Sequence, residues 1–362
     1  MSLRVLFAGG GTGGHLFPGI AVARALVDRY QDAEIVFAGT GRGLEARAVM
    51  KEGFIFKRIR SSGLVGKSTA ARLYALVLAP VTLLDTVRIL FQARPDLVIG
   101  LGGYSAGPLV LFASLTGKTT MLLEQNVVPG MTNRLLASFV RAAAVSYEES
   151  APFFGDKAFV SGNPVRKGFF AAPDSQLSKS RRPRVLVVGG SQGAHAINEA
   201  MMEAAPVIAR VPGGIDVTHQ TGEADVDIVR GAYRRAGIDA QVECFFDLMD
   251  EEMHAADLVV CRAGATTLSE VAAAGRPSLI VPFPHAAYDH QRSNAQVMVD
   301  AGSAELVDEI DLSTCFANRL LDLIADRERL QAMSQAAFRL ARPNAAEAIV
   351  NRVTELLKLS TS

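Results

Sequence analysis

His15 follows directly on a glycine run, Gly9, Gly10, Gly11, Gly13 and Gly14, interrupted only by Thr12. Backbone without side chains at a helix start lets N–H groups and the helix dipole meet an anion, commonly a phosphate. The dipole there biases an imidazole toward its neutral, proton-accepting form. His15 is therefore a candidate general base, a role worth ~10²–10⁴-fold in rate. A capping or packing histidine is the competing reading. Glu124, in the polar string Glu124, Gln125, Asn126, is the reserve base. The same construction returns at Gly189, Gly190, Ser191, Gln192, Gly193, Ala194, His195, in constant register with the first from Arg4 and Arg184 onward. There His195 reads as a capping or packing residue.

A second polar group lies toward the C-terminus. In Gly264–Glu270, GATTLSE, a turn at Gly264 and Ala265 would put Glu270 in the second turn of a helix. A carboxylate there can accept from both hydroxyls of a ribose; a solvated helical glutamate is the plainer alternative. Gln291 and Asn294 share a helical face, and their amides both donate to and accept from sugar hydroxyls.

Other motifs point nowhere. Gly9, Gly11 and Gly14 satisfy the G-x-G-x-x-G spacing, but the second strand ends in Ala38, Gly39 and Thr40, without the acid that a dinucleotide ribose requires. In Ser62–Thr69, SGLVGKST, Ser61 stands where a P-loop needs its first glycine. Asp225 and Asp227 open a helix without a second ligand cluster, and His285 and His290 are off a shared helical face, so no metal site is expected.

These residues sit at the junctions of a strand–helix alternation. Apolar runs Val5–Ala8, Glu34–Ala38, Phe54–Ile59, Asp96–Gly102 and Thr119–Asn126 predict strands, each followed by a glycine turn or a helical pattern. The rhythm repeats from Arg184, and Asp257–Gly275 echoes Asp96–Gly107. Alternation of this kind implies α/β architecture with parallel sheets, whose ligands sit at the carboxyl ends of the strands. The turn at Ser161–Arg166 and the Pro, Ser and Lys-rich stretch Ala172–Pro183 mark a boundary. Two domains are expected, 1–163 and 164–340, with a last helix at about 341–358 packing back on the first.

The composition suits two cores: 49% hydrophobic and 20% charged residues in a chain of 362. Thirty-seven basic residues balance 37 acidic ones, which gives no electrostatic case for nucleic acid. Three cysteines without metal spacing, and no signal-peptide pattern at the start, suggest the cytoplasm. The longest apolar run, Leu73–Leu84, contains Pro80 and falls short of the ~20 residues of a membrane span. Lys67, Arg72, Arg88 and Arg94 flank it. It reads either as a buried helix pair or as an apolar and basic patch resting on an anionic membrane surface.

The motifs GGGTGGH, LGGYSAGP, EQN followed by TN at Thr132 and Asn133, SGNPVR, GGSQGAH, CRAGATTLSE and HQRSNA occur in this order from about residue 4 to 296. Together they resemble the MurG family, bacterial transferases that add N-acetylglucosamine to undecaprenyl-pyrophosphoryl-N-acetylmuramyl-pentapeptide, converting lipid I into lipid II. The resemblance implies a GT-B architecture, two Rossmann-like domains facing a cleft, and a reaction that inverts the donor's anomeric centre without a metal or other cofactor. It implies that Ser191, Gln192, Arg166, Phe246, Ala265, Thr266, Leu268, Glu270, Gln291 and Asn294 bind UDP-GlcNAc, with Thr12, Gly13, Gly14 and Asn126 reaching it from the first half. Gly11, Thr12, His15, Tyr104, Gln125 and Asn133 would face the lipid-linked acceptor. Leu123 stands where many relatives have His, and the residue before Gln291, here His290, varies among them. A peripheral position on the cytoplasmic face of the inner membrane is implied, with other cell-wall synthesis and division proteins as further partners. A UDP-sugar epimerase of the same architecture is the alternative.

Overall fold

The structure, a computed structural model, describes residues 2–11, 13–41, 45–61, 69–170, 182–190 and 193–359, and only the backbone of 69–76. Thr12, Ser191, Gln192, nearly all of the P-loop-like stretch and most of the Ala172–Pro183 stretch lie outside the described residues. The chain forms two compact units, Met1–Val165 with Asn344–Ser362, and Arg166–Pro343.

The first unit runs β1 (Arg4–Gly9), α1 (Gly13–Arg29), β2 (Glu34–Gly39), α2 (Glu45–Lys51), β3 (Ile55–Arg58) and α3 (Thr69–Ala93). It continues with β4 (Leu97–Gly102), α4 (Ala106–Leu115), β5 (Thr119–Glu124), α5 (Met131–Leu136), β6 (Ala142–Val145) and β7 (Ala158–Val160). The strands make a parallel sheet in the order β3-β2-β1-β4-β5-β6-β7.

The second unit runs β8 (Arg184–Val188), α6 (His195–Ile208), β9 (Asp216–Gln220), α7 (Val226–Ala236), β10 (Ala240–Glu243), α8 (Met249–Ala255) and β11 (Leu258–Cys261). Then come α9 (Ala265–Ala273), β12 (Ser278–Ile280), α10 (His290–Asp300), β13 (Ala304–Leu306), α11 (Leu312–Ala325) and α12 (Arg327–Leu340). Its parallel sheet has the order β10-β9-β8-β11-β12-β13. The last helix, α13 (Ala345–Leu357), belongs to the first unit and packs on α1.

Strands covered on both faces read as continuous apolar runs rather than alternating ones. In β1, Val5 and Phe7 join one core with Ile20 and Leu26 of α1 and Ile349 and Val353 of α13, while Leu6 and Ala8 join another with Leu109 and Val110 of α4. The two units share a device at the opposite end from the glycine loops. Asp96, just before β4, accepts from the Arg4 N–H at 2.9 Å, and Asp257, just before β11, accepts from the Arg184 N–H at 2.8 Å. Each carboxylate ties the start of its unit's first strand to the strand across the topological switch. That is the physical content of the internal repeat.

The apolar run differs from the buried helix pair. It is one helix, α3, which continues through Pro80. Its inward positions from residue 77 on include Thr82, Thr86 and Ile89, while Val77, Leu83, Leu84, Val87 and Phe91 are exposed. Threonines therefore face the protein and large apolar side chains face outward, the reverse of an ordinary surface helix. Thr82 donates to the carbonyls of Arg60 and Leu78, and Asp85 takes a bidentate pair from Arg60, which accounts for the polar inner face. Among the described residues no helix is long and apolar enough to cross a membrane.

Candidate active site

In the first unit the sheet order reverses between β1 and β4, which opens a crevice at their carboxyl ends. The backbones of the two strands nearly touch there. Gly9 has φ +99, and a Cβ on it would overlap the Gly102 carbonyl oxygen. The close approach seats His15, in the first turn of α1, against Gly102: a Cβ on Gly102 would lie 3.2 Å from His15 Cε1.

His15 Nδ1 lies 2.9 Å from Gln125 Oε1, and Gln125 Nε2 donates to the Leu101 carbonyl at 3.4 Å. The second bond orients the amide with its oxygen toward the imidazole. Gln125 Oε1 can only accept, so Nδ1 carries a proton, and in the neutral ring Nε2 carries the lone pair. Gln125, expected to face the acceptor, is 2% exposed.

Glu124, the reserve base expected from sequence, holds four hydrogen bonds. Its Oε1 accepts from the N–H and side-chain amide of Asn126 at 3.0 and 3.1 Å; its Oε2 accepts from the Gly130 N–H at 3.0 Å and Asn133 Nδ2 at 2.9 Å. Four donors on a carboxylate that is 2% exposed make it the organiser of the loop after β5. Asn133, expected to face the acceptor, is buried and also donates to the Leu123 carbonyl. Tyr104 is exposed on the loop after β4. Gly11, Gly13 and Gly14 lie on the loop and first turn of α1, and the Gly11 N–H is taken by Glu45 Oε1 at 3.0 Å.

In the second unit the switch lies between β8 and β11. Gly193 has φ +78, and a Cβ there would overlap the Thr221 carbonyl, so the second loop needs glycine where it crosses the end of β9. His195 opens α6. Its Nδ1 lies 2.8 Å from Asp225 Oδ2 and its Nε2 3.3 Å from Glu199 Oε1. The hydrogen bond to Asp225, ahead of a smaller contribution from Glu199, raises the His195 pKa. Asp225 also accepts from Asn198, whose Oδ1 meets His219 Nε2 at 3.0 Å; His219 Nδ1 meets the Tyr233 hydroxyl at 2.9 Å. Burial drives His219 down to about 3, so it sits neutral in this chain of bonds.

The remaining expected donor residues cluster around α9, which begins at Ala265 after the N-cap Gly264. Arg166 stacks over Phe169 at 5.0 Å, and its Nη2 lies 3.8 Å from Glu270 Oε1. Burial pushes the Glu270 carboxyl up to about 7; Arg166 opposes the shift and Asp250 adds to it. Ala265 and Thr266 lie in the first turn, whereas Leu268 points into the core. Gln291 Oε1 accepts from the N–H groups of Ala263 and Phe283 at 3.2 and 2.9 Å, and the buried Asn294 donates to the Ala263 carbonyl. Both amides thus shape the loop that leads into α9. Phe246 is buried, and its N–H donates to Gln220 Oε1 at 3.2 Å.

Gln220, which sequence reading missed, also donates from Nε2 to the Gly190 carbonyl at 3.0 Å. It ties the Phe246 loop to the second glycine loop from the carboxyl end of β9. The sequence signal was its place as the last residue of an expected strand. Glu45 was missed likewise; it is buried, and lies in the same register to His15 as Asp225 to His195.

Comparison with known proteins agrees with this arrangement. Residues 5–145 match the glycosyltransferase family 28 N-terminal domain, and residues 184–349 match its C-terminal domain. A relative from Anaeromyxobacter sp. (strain K), named UDP-N-acetylglucosamine–N-acetylmuramyl-(pentapeptide) pyrophosphoryl-undecaprenol N-acetylglucosamine transferase, is 44% identical over 98% of this chain and 94% of its own. The crystal structure of Acinetobacter baumannii MurG superposes with a TM-score of 0.76 at 29% identity, covering 98% of this chain and 99% of that one. A Listeria monocytogenes structure assigned as a UDP-N-acetylglucosamine 2-epimerase reaches 0.71 over 99% of this chain and 97% of its own, but at 15% identity, a likeness of fold alone that gives the epimerase alternative no support. The chain is an α/β protein of two parallel-sheet, Rossmann-like domains, the GT-B architecture, and it belongs to the MurG family of N-acetylglucosamine transferases.

Proposed function

We propose that this chain moves GlcNAc from UDP-GlcNAc to the 4-hydroxyl of the muramic acid sugar in undecaprenyl-pyrophosphoryl-MurNAc-pentapeptide, with inversion at the anomeric carbon. Near-full-length identity to transferases named for this reaction supports the substrates. The observation that carries the chemistry is His15, at the switch of the first sheet, with Nδ1 bonded to Gln125.

The acceptor hydroxyl gives its proton to His15 Nε2 as its oxygen bonds to the anomeric carbon. The bond from that carbon to the UDP oxygen breaks, and its electron pair leaves on the β-phosphate. The N-terminus of α6 offers N–H groups to the charge developing there, and Ser191 and Gln192 would contact the diphosphate. Phe246 would lie by the uracil and Glu270 by the ribose hydroxyls, with Arg166, Ala265 and Thr266 around the nucleotide. Gln291, Asn294 and Leu268 serve this pocket from behind, through the Ala263 loop and the core. Thr12, Gly13, Gly14 and Asn126 would complete the donor sugar's surroundings; Gly11 and Tyr104 would face the acceptor.

The exposed apolar face of α3, with Arg88 and Arg94 beside it, suits contact with an anionic membrane surface. It supports a peripheral position on the cytoplasmic face of the inner membrane, where a lipid-linked acceptor would be met. Incubation of the purified chain with radiolabelled UDP-GlcNAc and a lipid I analogue tests the reading. UDP release with label in a β-linked disaccharide is expected; epimerised donor without acceptor dependence would overturn it.

A further inference from the structure

The two units carry the same pair of chemical groups in the same register, a histidine after the glycine loop and a carboxylate thirty residues on, but connect them differently. In the second unit Asp225 bonds His195 directly, at 2.8 Å. In the first unit the corresponding Glu45 is turned away from His15. Its Oε1 accepts from the Gly11 N–H at 3.0 Å, and its Oε2 from the Gly41 N–H at 2.8 Å and Thr40 Oγ1 at 3.2 Å. Gly10 and Gly39 make the room: a Cβ on either would overlap Glu45 Oε1.

His15 is left to an uncharged partner, Gln125, brought in from the end of β5. The position that corresponds to Gln125 in the second unit carries no amide. Val98 pairs with Thr120, as Val259 pairs with Ser278, and counting on from those pairs Gln125 corresponds to Phe283. The amide accepts the Nδ1 proton without adding the negative charge that favours an imidazolium. Its own orientation is set by the Leu101 carbonyl, beside the Gly102 surface on which the ring rests.

We propose that Gln125 is a positioning residue that fixes His15 in the Nδ1–H tautomer, aiming the Nε2 lone pair at the acceptor hydroxyl, and that Glu45 is held on the glycine loop so that no carboxylate takes Gln125's place. The proposal rests on the reading of His15 as the base. It distinguishes a histidine wired to take a proton from its counterpart His195, wired to keep one.

Two-bond ¹H–¹⁵N correlation spectra of ¹⁵N-histidine-labelled protein test it, with the His15 signals assigned by their loss in H15Q. The wild-type chain is expected to show pyridine-type Nε2 and pyrrole-type Nδ1. In Gln125→Leu the His15 signals should move toward the Nε2–H form, with turnover lower by about 10-fold or more and the KM for UDP-GlcNAc within about twofold of wild type. Gln125→Glu retains an acceptor and should keep the proton on Nδ1 while its charge draws the ring toward the imidazolium, so it carries the comparison even if Q125L does not fold. Unchanged His15 signals in Q125L, or loss of the Nδ1 proton in Q125E, overturn the positioning role. A tautomer that moves while turnover stays constant overturns instead the base reading on which it rests.

Discussion

Arg166 and Glu270 face one another across 3.8 Å, close enough for charge to act and too far for a hydrogen bond. Burial nevertheless prevails over the guanidinium and holds the Glu270 carboxyl up at about 7. A carboxyl whose pKa is higher in the folded chain than its ordinary value of 4.5 binds its proton more tightly when folded. Its contribution to stability is complete below pH 4.5 and is lost as the pH rises toward 7. Glu270→Gln, which never ionises, should therefore gain on the wild type over that interval, by ~1–3 kcal/mol at pH 8 relative to pH 4.5. Thermal melts of both proteins at matched pH values check this; a constant difference from pH 4.5 to 8 would refute it.

The ionised carboxylate is also the form with the most acceptor sites for ribose hydroxyls. UDP affinity measured by calorimetry should fall as the pH drops from 8 to 6. The fall should be absent in E270Q, whose weaker binding stays level.

His15→Ala removes the proposed base and leaves α9 and the second glycine loop untouched. Turnover should fall by ~10²–10⁴-fold, with the dissociation constant for UDP-GlcNAc nearly unchanged. Steady-state kinetics with the lipid I analogue, alongside calorimetric titration of the donor, separate the two. Turnover within twofold of wild type would remove His15 from the chemistry.

For Glu124 the hydrogen bonds suggest a second role beside that of reserve base, as the organiser of the loop after β5. A carboxylate already accepting from Asn126, Gly130 and Asn133 serves the loop, so its removal should cost stability and activity together. Glu124→Ala strands the buried Asn133 amide and three partly buried donors of Asn126 and Gly130, for which a loss of about 1–3 kcal/mol is expected. Denaturant titration together with kinetics checks it. A strong fall in turnover at unchanged stability would return Glu124 to the role of base.

Much of this was visible in the chain itself, and what was hidden had a common cause. The runs VLFA, LVIGL and VLVV announce strands buried on both faces, and glycines followed by histidine announce a loop entering a helix. Gln125 looked like part of a polar string because nothing local shows that β5 lies one strand beyond β4, and β4 beside β1. That adjacency brings residues 110 positions apart to hydrogen-bonding distance. Glu124 looked reactive because its four donors come from a loop that folds only after the strand is placed. Glu45 could be found only by laying one half on the other. For α3, composition left a buried helix pair and a membrane-resting patch both open, and the sides on which Thr82, Thr86, Leu84 and Phe91 lie became plain only in the fold.

The α3 face yields the remaining prediction. Leu84 is 69% exposed and Phe91 72%, on a helix whose inner side is held by Thr82 and Asp85. Charging the outer side should leave the fold intact because neither side chain is buried. If this face rests on lipid, Leu84→Glu with Phe91→Glu removes apolar contact and sets two carboxylates against anionic headgroups. Co-sedimentation with vesicles of mixed neutral and anionic phospholipid should fall by about tenfold or more, at roughly 1.4 kcal/mol per factor of ten. Activity on a short-chain, water-soluble acceptor should stay within about twofold of wild type, since both side chains are exposed and neither supports the fold. Undiminished sedimentation would show that lipid contact, if any, lies elsewhere. Lost activity on the soluble acceptor at reduced thermal stability would show that the outer face of α3 supports the fold.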